Sequence, residues 1–176
     1  MITQYIFGDE KQIVEESLAL ERLPYDDLVV DVGGAMCLMP RADYVVDKIP
    51  FEKLDKYPKR NAFPIRVRKE RWITADICKP MKYFNDKLFN YSVCSQTIED
   101  VRDPICLVSE LSRISEAGFI STVNWRYELS VMRGSRWVGY WHHRWLINER
   151  DGCLEFISKP PFLYSGLILD SELWLS

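Results

Sequence analysis

A chain of 176 residues sets one domain, spanning 1–176, as the default organisation. It is 47% apolar and 28% charged, which is globular composition and excludes a disordered or low-complexity chain. Asp and Glu number 26 against 23 Lys and Arg, a net charge of −3, so the uniformly basic surface of a nucleic-acid binder is absent.

Residues 9–23 carry Ile13, Val14, Leu18 and Leu20 at mostly helical spacing, with Pro24 as a stop. The run Leu28-Val29-Val30-Asp31-Val32 then ends in Gly33-Gly34. It is short, continuous and β-branched, the pattern of a strand covered on both faces of a parallel sheet. Residues 42–47 repeat the pattern and end in Asp47. Further runs follow at 71–77 and 89–95. Residues 51–64, with Lys53, Lys56, Lys59 and Arg60, read as a solvated helix or loop.

The clearest helix begins after Asp103, a capping residue, with Pro104 at its first position and Ile105, Val108, Leu111 and Ile114 as one apolar stripe. Gly118 follows it, and residues 119–123 read as a fifth strand. Residues 145–149 and 154–157 flank Asp151-Gly152, a strong hairpin signal. Strands with interposed helices, closed by a hairpin, predict an α/β layer fold: a mostly parallel sheet with an antiparallel pair at one edge.

Two broader features bound the setting. No run approaches the 18 apolar residues of a membrane span, and residues 1–10 are acidic and mixed rather than patterned as a signal peptide, so no membrane partner is expected. Cys37, Cys78, Cys94, Cys106 and Cys153 are odd in number, widely spaced and without a C-x-x-C. They read as reduced thiols in a cytoplasmic protein, with no zinc or other metal site expected.

Ligands of open parallel sheets bind outside the carboxyl ends of the strands. Here those ends carry Asp31 with Gly33-Gly34, then Asp47, then Asp76-Ile77, then Ser95-Gln96. A glycine turn permits close backbone approach, one carboxylate can accept two hydrogen bonds from a ribose diol, and the next can meet an exocyclic amine. Each aspartate could instead cap a turn, but three on successive strands favour a nucleoside site. Neither G-x-G-x-x-G nor G-x-x-x-x-G-K-[ST] is present, which excludes the usual pyrophosphate and triphosphate loops.

Asp31-Val32-Gly33-Gly34-Ala35, followed by Pro40-Arg41-Ala42-Asp43-Tyr44-Val45-Val46-Asp47-Lys48, resembles motifs I and II of class I S-adenosylmethionine-dependent methyltransferases. More narrowly it is similar to a bacterial type 11-like branch in which the helix after motif I is shortened. Ala75-Asp76 resembles motif III, and the stretch from Tyr91 to Pro104 resembles the family's Y-V-[IV]-C-S-H-V-L-E-H-V-x-D-P. Ser109-Glu110-Leu111-Ser112-Arg113-Ile114 and His143-Arg144-Trp145 continue the likeness in order. Ala35 stands where the family has a second glycine, and Gln96 and Asp100 replace two histidines.

The resemblance implies a three-layer Rossmann-like fold and S-adenosylmethionine as cofactor. Asp31, Gly33 and Gly34 would meet its methionine part, Asp47 the ribose, Asp76 and Ile77 the adenine, and Ser95 and Gln96 the region beside the methyl group. The activity implied is methyl transfer to a small-molecule or saccharide-type acceptor. A catalytically degenerate module of the same fold is the other reading. Gln96 and His143 are the candidate catalytic groups, although Gln96 reads first as polar lining and His143 as packing beside Trp145.

His142 and His143 on an extended segment would face opposite ways. Residues 125–145 interleave Arg126, Arg133, Arg136 and Arg144 with Trp and Tyr, as a lid or a substrate wall. The apolar stretch 162–174 either docks on the domain or forms a homodimer contact.

Overall fold

The structure is a computed structural model that describes residues 2–7 (backbone), 23–24, 26–56, 67–130 and 138–160. The helix expected over 9–23, residues 57–64, much of the Arg and aromatic segment, and the 162–174 stretch lie partly or wholly outside the described residues. The chain divides into two compact units, residues 1–122 and 123–176.

The first unit is built on a six-stranded, all-parallel sheet. Its strands are β1 (Ile2–Phe7), β2 (Val29–Val32), β3 (Tyr44–Asp47), β4 (Trp72–Thr74), β5 (Phe89–Ser95) and β6 (Ser115–Thr122). Their spatial order is β1-β6-β5-β2-β3-β4, so β2 is central, between β3 and β5. Its Val29, Val30 and Val32 are fully buried, as a β-branched run covered on both faces should be. Because every strand runs the same way, all carboxyl ends lie along one edge of the sheet.

Helix α1 (Pro104–Ile114) begins as expected: the Asp103 carboxylate accepts the Cys106 amide at 2.9 Å, with Pro104 in the first turn. Its buried face differs from the expected stripe. Pro104, Leu107, Leu111 and Ile114 face inward together with Glu110, whereas Ile105 is 61% exposed. Glu110 can be buried because Arg113 pairs with it at 2.8 Å and the Met81 amide donates to it at 2.5 Å. Arg113 also donates to the Met81 and Phe84 carbonyls, fixing the loop before β5 against the helix.

Two strand expectations need correction. Gly118 does not precede the fifth strand but lies inside β6, which starts directly at Ser115. A Cβ there would stand 2.5 Å from Ser92 Oγ on β5, so the close approach of the two strands requires glycine. The edge strand β1, paired in parallel with β6, was not anticipated from the mixed sequence of residues 2–7.

The second unit holds a short helix α2 (Trp125–Glu128) and the hairpin β7 (Trp145–Arg150) and β8 (Cys153–Ser158). Asp151 (φ 53) and Gly152 (φ 77) form its turn, and two consecutive positive φ values match the twist of the strands. The hairpin is a separate two-stranded sheet, not an edge of the parallel one. No helix among the described residues is long and apolar enough to cross a membrane.

Candidate cofactor site at the strand ends

Asp31, in the middle of β2, is fully buried. Its Oδ2 accepts the Met39 amide at 2.7 Å, and its Oδ1 has no partner among the described residues. Burial pushes its carboxyl up to about 7; the Met39 hydrogen bond opposes this rise and the nearby Asp47 adds to it.

The chain then turns through Gly33, in the left-handed region at φ 86, where Thr97 Oγ1 donates to its carbonyl at 3.1 Å. A Cβ at Gly34 would overlap the Asp31 carboxylate itself. Both glycines are therefore demanded by the site's own packing. Gly34–Met36 is a single 3-10 turn rather than a full helix. Ala35 is not among the positive-φ residues, so its methyl imposes no backbone strain.

Asp47 ends β3 and is 5% exposed. Its Oδ2 accepts the Ala35 amide at 3.0 Å and its Oδ1 the Ile49 amide at 2.7 Å. Burial raises its pKa despite these hydrogen bonds and Lys48.

Asp76 lies two residues beyond β4 and is more open. Its Oδ1 accepts the Cys78 amide at 3.0 Å and its Oδ2 pairs with Arg102 at 2.5 Å. The Cys78 amide first, and Arg102 second, hold its carboxyl below the ordinary range. Ile77 beside it is partly buried.

Ser95 ends β5 with its hydroxyl 2.7 Å from that of Ser121 on β6. Gln96 follows at φ 49, its amide donating to the Ser121 carbonyl at 2.9 Å. Its Nε2 is buried without a partner among the described residues. Sequence reasoning passed over Thr122, which ends β6 and whose buried Oγ1 likewise has no such partner. The one available signal was the polar pair Ser121-Thr122 closing an otherwise apolar run. Sheet order thus sets Thr122 at the end of β6, Gln96 just past β5, Asp47 at the end of β3 and Asp76 just past β4 along one edge, with Asp31 one residue before the end of β2 between them.

His143 belongs to the second unit. Its Nδ1 is 2.7 Å from Glu128 Oε1, and its ring stacks near Tyr140 at 4.6 Å. His142 and His143 do not face opposite ways: they sit on a turn with ring centroids 4.5 Å apart. Glu128 also accepts from Lys159 Nζ at 2.8 Å, a residue 0% exposed at the side chain. Burial alone would raise the Glu128 pKa, but the hydrogen bonds from His143 and Lys159 outweigh it and hold the carboxyl low. Arg126 lies over the Trp125 ring at 5.6 Å.

Residues 67–153, just under half of the chain, match the family model described as methionine biosynthesis protein MetW. The matched stretch includes Asp76, Ile77, Ser95, Gln96 and His143. The chain has a Rossmann-like, all-parallel α/β sheet.

Three solved structures are similar to this chain. One is an S-adenosylmethionine-dependent methyltransferase from Mesorhizobium loti, 20% identical, covering 82% of this chain and 63% of that one, with a TM-score of 0.47. Another is a putative methyltransferase from Bacillus halodurans, 16% identical, covering 64% and 51%, with a TM-score of 0.44. The third is a complex between the Haloferax volcanii Trm112 methyltransferase activator and a putative methyltransferase, 18% identical, covering 63% and 51%, with a TM-score of 0.46. The chain therefore spans between half and two thirds of the length of these structures. No curated protein matches it.

Proposed function

We propose that the chain binds S-adenosylmethionine along the carboxyl edge of its parallel sheet and transfers the methyl group to a small-molecule or saccharide-type acceptor. The observation that carries this reading is the order of Asp31, Asp47 and Asp76 on or just past three neighbouring parallel strands. Ligands of open parallel sheets bind outside these strand ends, and the three acids would meet the methionyl, ribose and base portions of the cofactor.

The residues fit the group. Asp31 Oδ1 and Gln96 Nε2 are buried polar atoms with no partner among the described residues, and such atoms call for a ligand or water. Each Asp47 oxygen spends one lone pair on a backbone amide and keeps another for a ribose hydroxyl. Asp76, the most open of the three acids, would accept from the adenine amine, with Ile77 against the ring. Gly33 and Gly34 let the backbone approach the methionyl group, and Ser95 and Gln96 border the reacting region.

When bound, S-adenosylmethionine supplies an electrophilic sulfonium methyl and a neutral thioether leaving group. The chain's own task is then to orient donor and acceptor in line and keep water out. In keeping with a reducing compartment, no disulfide joins its five cysteines, and we place the protein in the cytoplasm.

A second reading, a binding module that does not catalyse, is favoured by the engagement of Asp47 with two backbone amides and of Asp76 with Arg102. Titration with S-adenosylhomocysteine, followed by a radiolabelled methyl-transfer screen, separates the two. Cofactor affinity with transfer supports the first reading. Affinity without transfer to any acceptor supports the second, and no affinity in wild-type protein sinks the cofactor assignment.

A further inference from the structure

We infer that capture of the cofactor's α-ammonium at Asp31 is coupled to release of a proton: Asp31 is the neutral acid without ligand and the carboxylate once the ammonium is bound. The inference rests on the proposed cofactor reading and adds to it a proton that the ligand must displace.

Two buried carboxyls converge on one turn. Asp31 stands beside Val45 in the parallel register of β2 and β3, and side chains two apart on a strand share a face. Asp31 and Asp47 therefore lie on the same face of the sheet. Both reach the glycine turn: a Cβ on Gly34 would overlap the Asp31 carboxylate, and the next residue, Ala35, donates its amide to Asp47 at 3.0 Å.

Their hydrogen bonds are unequal. Asp47 accepts an amide on each oxygen, from Ala35 and Ile49. Asp31 accepts that of Met39 on Oδ2, and its Oδ1 has no partner among the described residues. At 1% exposure, solvent does not make up the difference. A carboxylate so placed would bury its charge with one oxygen unmet and a second acid beside it. A proton on Oδ1 removes that charge.

The titratable groups around Asp31 are Asp47 on β3 with the exposed Lys48 next to it, Cys94 on β5 with the buried Glu99 beyond it, and the exposed Cys37 after the turn. Lys48 acts on Asp47, and burial pushes the Cys94 thiol up, so it stays neutral. Asp47 favours a cation at Asp31 over an anion. Burial first, and Asp47 with it, push the Asp31 carboxyl up to about 7, which sets the pH range of the effect.

What Oδ1 lacks is a donor, and a positive one. The neutral acid presents an O–H there, and an ammonium has no lone pair to accept it. The O–H bond therefore breaks as the ammonium binds. Its electron pair stays on Oδ1, the proton passes to the buffer, and an ammonium N–H donates to the oxygen. Where Asp31 is still protonated, the ligand must expel that proton, so affinity rises with pH and levels off once Asp31 is ionised.

Calorimetry of the full chain with S-adenosylhomocysteine, in two buffers of different ionisation enthalpy, counts the protons. The control ligand is 5′-methylthioadenosine, which keeps the nucleoside and thioether but has no ammonium. S-adenosylhomocysteine should release close to one proton at about pH 6 and almost none at about pH 8, gaining about tenfold in affinity between them. 5′-Methylthioadenosine should release none and bind equally at both. Asp31→Asn, folded as judged by circular dichroism, should bind S-adenosylhomocysteine about tenfold more weakly at about pH 8 and release no proton. That variant separates Asp31 from every other group titrating over the range.

S-adenosylhomocysteine binding without proton release, equal release with 5′-methylthioadenosine, or unchanged release in Asp31→Asn overturns the inference and leaves the cofactor reading in place. Binding of neither ligand by folded wild type overturns the cofactor reading and the inference with it.

Discussion

The Asp47 carboxylate holds the backbone of Ala35, its Oδ2 accepting the Ala35 amide at 3.0 Å while its Oδ1 accepts that of Ile49 at 2.7 Å. One buried side chain thereby fastens the turn after β2 to the end of β3. Asp47 has two duties, shaping the glycine turn and offering acceptors for a ribose. Asp47→Ala should therefore lose both S-adenosylhomocysteine binding and stability. Two buried amides lose their acceptor, at about 1–3 kcal/mol each, which denaturant unfolding will measure. Asp47→Asn keeps one acceptor oxygen and should lie between wild type and the alanine variant in stability.

Asp31 carries a pH signature. Its folded-state value of about 7 lies above the ordinary 3.8. The native state therefore keeps a proton that the unfolded chain releases, and stability falls as pH rises through that window. Wild-type protein should be more stable near about pH 5 than near about pH 8, by at most about 3 kcal/mol for this group. Asp31→Asn cannot ionise and should remove most of that slope. A slope unchanged in the variant would show that Asp31 does not titrate as its burial requires.

The glycine turn makes a separate prediction for each of two neighbouring positions. Gly34→Ala puts a methyl into the Asp31 carboxylate and should cost roughly 1–3 kcal/mol. Ala35→Gly relieves no strain, since Ala35 does not need positive φ, and should cost about 0.5–1 kcal/mol in chain entropy. It should also leave cofactor affinity unimproved in calorimetric titration.

In the second unit, Glu128→Ala would leave the Lys159 ammonium buried without its carboxylate. Loss of one member of a buried pair typically costs about 3–5 kcal/mol. Unfolding of Glu128→Ala combined with Lys159→Met should recover part of that loss. The depressed Glu128 pKa gives stability that is present above the ordinary carboxylate range and lost as pH falls through it.

What could be read ahead of the structure was what local pattern controls. The β-branched run at β2, the bounds of β5, the Asp103-Pro104 start of α1 and the Asp151-Gly152 turn all follow from neighbouring residues. The misses are long-range. Gly118 is explained by Ser92, 26 positions earlier in the chain, and Glu110 is buried because Arg113 and Met81 meet it. The edge strand β1 gains its partner only from β6, and Glu128 gains Lys159 from across the hairpin. The strand-end acids were visible as residues, but their commitment to the Ala35, Ile49, Met39 and Cys78 amides was not.

Calorimetric titration of the intact chain with S-adenosylhomocysteine, beside Asp76→Ala, measures cofactor binding most directly. Asp76 is the most open of the three acids, so its loss should leave the fold intact as judged by circular dichroism. Micromolar binding by wild type that is weakened by about tenfold or more in Asp76→Ala is the expected result. Absence of binding by folded wild type, or equal affinity in the two proteins, would contradict a cofactor site on the strand-end acids.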